Sequence, residues 1–109
     1  MEITFNNTKR GFGKGNFQDA YGAECSIQDS SIMEKEPYLW LGLVDANPQI
    51  MRSDARKLGL PNSEGNGWME YKFPNEVFLS TRMHLSKTQV KGLIKVLKKW
   101  VKEGILPED

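Results

Sequence analysis

Cysteine and histidine each occur once in the 109 residues. A single cysteine excludes an intrachain disulfide and a zinc site built on cysteine clusters. A lone histidine argues against a histidine-rich metal centre. An excess of one charge is also missing. Fifteen basic residues stand against 14 acidic ones, a formal net charge of +1, which offers no global attraction to nucleic acid or to an anionic membrane. Long apolar runs are absent too. The longest, Leu39 to Val44, contains a glycine and falls far short of the roughly 20 residues that span a bilayer. The N-terminal MEITFNNTKRGFGKG lacks the apolar core of about 7–15 residues that marks a secretory signal. A cytoplasmic protein with no membrane partner is therefore expected.

Motifs of catalysis are lacking as well. There is no HExxH and no paired-carboxylate motif. Gly11-Phe12-Gly13-Lys14-Gly15 lacks the G-x-x-x-x-G-K-[ST] frame of a phosphate loop and reads as a hairpin turn. No cofactor or metal is expected, and a non-enzymatic protein is the reading.

What is present is pattern. Ser86 has Gln89 three residues on, the spacing of a capping box. Val90, Leu93, Ile94, Leu97 and Val101 then recur at helical spacing, Gly104 suits the C-terminal stop, and Pro107 bars continuation. This predicts a helix over 87–103 with an apolar stripe. Lys87, Lys91, Lys95, Lys98, Lys99 and Lys102 fall mostly on its remaining surface. They read as a solvated face, and nucleic acid is not an expected partner.

Upstream, the period changes to two. Ile3 and Phe5 alternate with polar residues, as do Phe17, Asp19 and Tyr21. A turn at Tyr21-Gly22-Ala23 leads into a second strand from Glu24 to Ser30. Tyr38 to Val44 suits a central strand, and Trp68–Phe73 and Val77–Leu85 alternate again. Asn47 followed by Pro48, with Ile50, Met51, Ala55 and Leu58, predicts a short helix near 48–58. Strands first and a long helix last define an α+β class. The expected architecture is one domain over 1–109, mainly antiparallel sheet, with the C-terminal helix packed on one face.

Side chains alternate across a strand, so parity sorts the residues by face. Leu39, Leu41, Leu43, Cys25, Ile27, Met83 and Leu85 fall on the expected core side. Tyr38, Trp40, Gly42, Ser26, Gln28, Ser30, Phe78, Arg82 and His84 fall on the other. That second face mixes aromatics with hydrogen-bonding groups and holds the only histidine. It suits a ligand platform, where rings stack on bases and Arg grips phosphate. It suits a protein interface equally well, and an ordinary solvated face has the same outline. The same parity separates Cys25 from His84, which argues against a thiol–imidazole pair.

Several segments carry a resemblance. These are Phe17-Gln18-Asp19-Ala20-Tyr21-Gly22, Cys25-Ser26-Ile27-Gln28-Asp29-Ser30-Ser31, Leu39-Trp40-Leu41-Gly42, Asp45-Ala46-Asn47-Pro48-Gln49-Ile50-Met51 and Thr81-Arg82-Met83-His84-Leu85-Ser86. Together, over about residues 10–106, the chain resembles a family of short, mostly uncharacterised proteins encoded by tailed phages and prophages. The resemblance implies an accessory protein that acts against host defence in the host cytoplasm. One mode is to sequester a nucleotide-like immune signal. The other is to dock directly on a host defence protein. Under the first, Trp40 and Tyr38 stack on a base or ribose and Arg82 pairs with phosphate. Ser26, Gln28, Ser30 and Asn47 hydrogen-bond, and His84 adds a donor. A homo-oligomer is expected, because a chain this small encloses little cavity by itself.

Overall fold

Strand pairing over short polar turns builds most of the molecule. The computed structural model describes residues 1–32 and 35–107. In chain order the elements are β1 (Thr4–Asn7), β2 (Gly13–Gln18), β3 (Glu24–Asp29), β4 (Tyr38–Leu43), β5 (Gln49–Met51), α1 (Arg52–Lys57), β6 (Trp68–Glu70), β7 (Arg82–Ser86) and α2 (Lys87–Glu103). The protein is α+β, with a five-stranded antiparallel sheet in the order β1-β2-β3-β4-β7 and a separate two-stranded sheet of β5 and β6. The chain forms two compact units, Met1–Val44 with Thr81–Asp109, and Asp45–Ser80.

In the first unit, two turns set the register. Thr8 N–H donates to Phe12 O at 2.8 Å, and Thr8 Oγ1 accepts from Phe12 N–H at 3.0 Å. The turn thus occupies Thr8–Phe12, and Gly13 to Gly15 already belong to β2. A turn extending through Gly15 is corrected by this pairing: Phe5 lies opposite Gly15, and Asn7 opposite Gly13. Gly15 is required by close approach. A Cβ there would sit 2.8 Å from the Phe5 ring and 3.0 Å from Ile27 Cγ2. The second turn is an Asx turn, in which Asp19 Oδ1 accepts from Tyr21 N–H and Ala23 N–H, both at 2.9 Å.

The chain passes from β7 to α2 without a connecting residue. Ser86 ends the strand and caps the helix. Its Oγ accepts from Gln89 N–H at 3.1 Å, while Gln89 Oε1 accepts from Ser86 N–H at 3.0 Å. Gly104 closes the helix in the left-handed region at φ 77°. Glu36 reinforces the start, accepting from Thr88 Oγ1–H at 2.9 Å. The Thr88 hydroxyl, then Ser86 and the Thr88 amide, hold the Glu36 carboxyl below its ordinary pKa of 4.5, with Lys91 adding a smaller attraction.

The predicted helix limits hold, but its packing is corrected. No residue of α2 is buried. Val90 and Leu93 are half-buried near the junction, while Ile94 is 46%, Leu97 48% and Val101 77% exposed. The reason is the direct junction. With no loop after Ser86, the helix starts directly at the end of β7, and β7 is the strand it chiefly touches.

The second unit departs further from expectation. Residues 48–51 are not helical: Gln49–Met51 pair with Trp68–Glu70, and Pro48 O accepts from Tyr71 N–H at 2.9 Å. The helix begins only at Arg52, without a side-chain cap. A strand partner some twenty residues away overrides the local Asn-Pro signal. Arg52 and Arg56 then hold the following loop, donating to Asn62 O at 2.8 Å and Ser63 O at 2.6 Å. The strand expected over 77–85 survives only as Arg82–Ser86, and that over 68–73 as Trp68–Glu70. Phe78 is therefore not on the sheet and is 88% exposed. Among the described residues no helix is long and apolar enough to cross a membrane.

Two outcomes follow from the junction. Ser86→Ala removes the reciprocal cap and lowers stability by about 1 kcal/mol, read from urea unfolding; a change below a few tenths would refute the capping box as a stabilising element. Because the folded Glu36 pKa is depressed, its contribution is present above the unfolded value and is lost as pH falls through the folded value. An NMR titration of the Glu36 side chain should give a midpoint below 4.5, moving back up in Thr88→Val.

Candidate functional site

Cross-strand register assembles one face of the main sheet in rows. His84 lies opposite Trp40, Trp40 opposite Gln28, and Gln28 opposite Lys14. The neighbouring row runs Arg82, Gly42, Ser26, Asn16. Tyr38, two residues from Trp40, shares that face and pairs with Ser86. Leu39, Leu41, Met83 and Leu85 point to the opposite side, as parity requires.

On this face the His84 ring sits between two aromatics. Its centroid is 4.1 Å from the Trp40 ring and 4.9 Å from the Tyr38 ring, with interplanar angles of 28° and 23°. His84 Nε2 and Ser30 Oγ share a hydrogen bond of 2.9 Å. The Arg82 guanidinium carbon also lies over the Trp40 ring, 5.6 Å from its centroid. Arg82 Nη1 donates to Gln28 Oε1 at 3.1 Å. Tyr38, His84, Trp40 and Arg82 thus form one continuous stack, tethered by Ser30 at His84 and by Gln28 at Arg82. All six are half-buried, so each keeps a surface that solvent or a ligand can reach.

Gly42 makes the stack possible. Its φ is 149°, and a Cβ there would lie 2.7 Å from Thr81 O and 3.0 Å from Arg82 Cα. Both obstacles are backbone and cannot rotate away. Thr81 Oγ1–H fastens the same place by donating to Leu43 O at 2.8 Å. The missing side chain lets β7 approach β4 and leaves room for the Arg82 arm above.

Six of the eight residues expected at the site therefore come together: Gln28, Ser30, Tyr38, Trp40, Arg82 and His84. Ser26 shares the face, but it is 1% exposed and its Oγ has no hydrogen-bond partner. A direct ligand contact from Ser26 is thus corrected: the hydroxyl is covered. Asn47 is exposed and belongs to the second unit, Asp45–Ser80. Cys25 lies on the opposite side, buried, with its thiol 3.6 Å from Ala23 O.

Sequence reasoning missed the β1–β2 turn. A cleft of about 300 Å³ borders the cluster, walled by Gln28, Asp29, Ser31 and Trp40 on one side and by Thr8, Lys9, Arg10 and Phe12 on the other, so that two cations face one carboxylate. Arg10 lies 5.8 Å over the Phe12 ring, and Lys14 projects from the same sheet face beside Gln28. The signal was the basic content of the turn, Lys9-Arg10, which only the folded register brings next to Trp40. A larger cavity of about 770 Å³ lies elsewhere on the sheet, lined in part by Glu2, Asp19 and Glu24. Three carboxylates make it repellent to anions, so its size does not recommend it as a phosphate site.

Comparisons with family models, curated proteins and solved structures gave no match, so the reading of this face rests on its own chemistry.

Gly42→Ala tests the geometry. Forcing a Cβ against Thr81 O and Arg82 Cα should destabilise the protein by roughly 1–3 kcal/mol. It should also move the Trp40 indole N–H and His84 ring resonances in an NMR spectrum, which a change of stability alone would leave in place. Unmoved resonances in a folded Gly42→Ala protein would refute the role of the close approach.

Proposed function

We propose that this face binds a small nucleotide-like ligand, and that the protein works without catalysis by sequestering it. The observation that carries the reading is the Tyr38–His84–Trp40 stack ending in Arg82. A base and a phosphate require aromatic faces and a guanidinium within one ligand length of each other, and the stack supplies both. Lys9, Arg10 and Lys14 add positive charge on the side where the cleft opens. No carboxylate takes part in the stack itself; Asp29 lines the cleft beside it and is outnumbered by the three cations.

The stack also specifies how binding proceeds. Both faces of His84 are already covered, and one face of Trp40 is occupied by His84. A base therefore stacks on Trp40 by entering where Arg82 now lies. The displaced interaction is a cation–π contact near its outer distance limit, worth about 0.5–1 kcal/mol. The freed guanidinium can then pair with phosphate, a charge-assisted and bidentate interaction. Tyr38 offers its outer ring face as the other stacking surface, and Gln28 and Ser30 supply directional hydrogen bonds.

The biological setting comes from the resemblance to short phage-encoded proteins. Under it the ligand is an immune signal of the host, the protein acts in the host-cell cytoplasm as an assembly of identical copies, and removal of the signal silences a defence system. Docking on a host defence protein through the same face is the competing outcome.

Isothermal titration against cyclic and linear dinucleotides and ADP-ribose derivatives decides the matter. At least one member should bind at micromolar concentration or tighter. Arg82→Ala should weaken that binding about 10–100-fold, the range expected for losing a hydrogen bond to a charged group, in a protein that still folds. The reading fails if no member binds. A stoichiometric complex with a purified host defence protein, lost in Trp40→Ala and Arg82→Ala, would then establish the competing mode.

A further inference from the structure

We infer that two copies of this chain pair by exchanging their C-terminal helices, each α2 laying its apolar stripe across the apolar face of the other copy's sheet. The inference concerns the surface opposite the aromatic stack and does not depend on what that stack binds.

The first observation is exposed area. The chain exposes 9294 Å². A folded monomer of this mass exposes about 6,100 Å², and even two separate bodies the size of the two units would together expose only about 7,300 Å². The surplus is thus at least roughly 2,000 Å² per chain. Obligate dimers bury about 1,000–2,500 Å² per chain, so one dimer interface accounts for it. The buried apolar side chains tell the same story, being Cys25 and Ala55 alone among the described residues.

The second observation is where part of the surplus lies. The apolar face of the main sheet carries Phe5, Ile27, Leu39, Leu41, Met83 and Leu85. None of these is buried; Phe5 is 70% and Met83 53% exposed. The stripe of α2, from Val90 through Leu97 to Val101, spans about 120° of the helix circumference, with Trp100 at its edge. It runs free beyond Leu93. The chain therefore presents two unpartnered apolar surfaces of complementary kind, a sheet face and a helix stripe, and stacking one on the other is a standard two-layer solution.

The third observation is why the chain does not satisfy itself. The reciprocal Ser86–Gln89 cap joins α2 to β7 without a loop, and β7 is the strand the helix chiefly touches. Its own stripe beyond Leu93 is left exposed rather than covered by its own sheet. A second copy related by a two-fold axis has no such restriction, and each helix can then cover the other's sheet by the same contact. The dimensions agree. Seventeen residues make a helix about 25 Å long, and five strands make a sheet about 19 Å across. Lys91, Lys95, Lys99 and Lys102 stay outward in this arrangement, because they lie on the arc away from the stripe, while Lys87 and Lys98 flank it.

Sedimentation equilibrium on the full chain without ligand should return a multiple of the 12.4 kDa chain mass, with the dimer as the smallest species at micromolar concentration. Leu97→Asp should return the chain mass, and Lys95→Glu, on the outward arc, should leave the dimer intact. Crosslinking then locates the contact. In a Cys25→Ser background, a tagged Leu41→Cys chain and an untagged Leu97→Cys chain are co-expressed and treated with a short thiol crosslinker. A tagged–untagged crosslinked pair supports helix exchange. A wild-type chain that stays monomeric overturns it, as does a dimer that survives Leu97→Asp or gives no crosslink between positions 41 and 97. None of these readouts involves a nucleotide, so failure of the ligand reading and failure of this one are separable.

Discussion

The pairing of β4 with β7 is the constraint on which the rest depends. It joins residues 40 to 48 positions apart in the chain, and it does so through Gly42, whose missing side chain lets the β7 backbone come within contact distance. Once that register is set, His84 must lie opposite Trp40 and Arg82 opposite Gly42. The aromatic stack on one face follows. So does the row of Leu39, Leu41, Met83 and Leu85 on the other. A one-residue slip would exchange the two faces entirely, and the close approach at Gly42 is what makes such a slip costly.

The same pairing directs the helix. β7 runs into α2 at a residue that serves both elements, so the position of the strand dictates the path of the helix. Ser86 is opposite Tyr38 in the sheet and is also the N-cap. The end of the aromatic stack and the start of the helix are therefore mechanically one place, with Glu36 drawn in by Thr88 to brace it. A change of strand position at Tyr38 would be felt along the whole of α2.

Much of this was legible in the sequence because it rests on short periods. The limits of α2, its capping box and its glycine stop came from local spacing. The sorting of Gln28, Trp40, Arg82 and His84 onto one face came from a period of two. The misreadings share a different cause. Asn47-Pro48 looks like a helix start, but the pairing of Gln49–Met51 with Trp68–Glu70 decides the matter across a gap that no local pattern spans. Phe78 followed strand parity on paper, yet the strand begins only at Arg82. Ser26 had the right parity, and burial removed it from reach. Lys9 and Arg10 were absent from the expected site because turn residues have no parity to read.

By itself, the sequence determined the class of the fold, the faces of the strands and the outline of the last helix. These are encoded in alternation and spacing that each segment carries alone. Only the tertiary structure decided the contacts within the stack, the covering of Ser26 and the cleft at the β1–β2 turn. It alone decided that the stripe of α2 is left uncovered beyond Leu93. An amphipathic stripe states that a helix must be covered, but not by what. That depends on the direction in which the preceding strand releases it, and direction is a property of the assembled sheet.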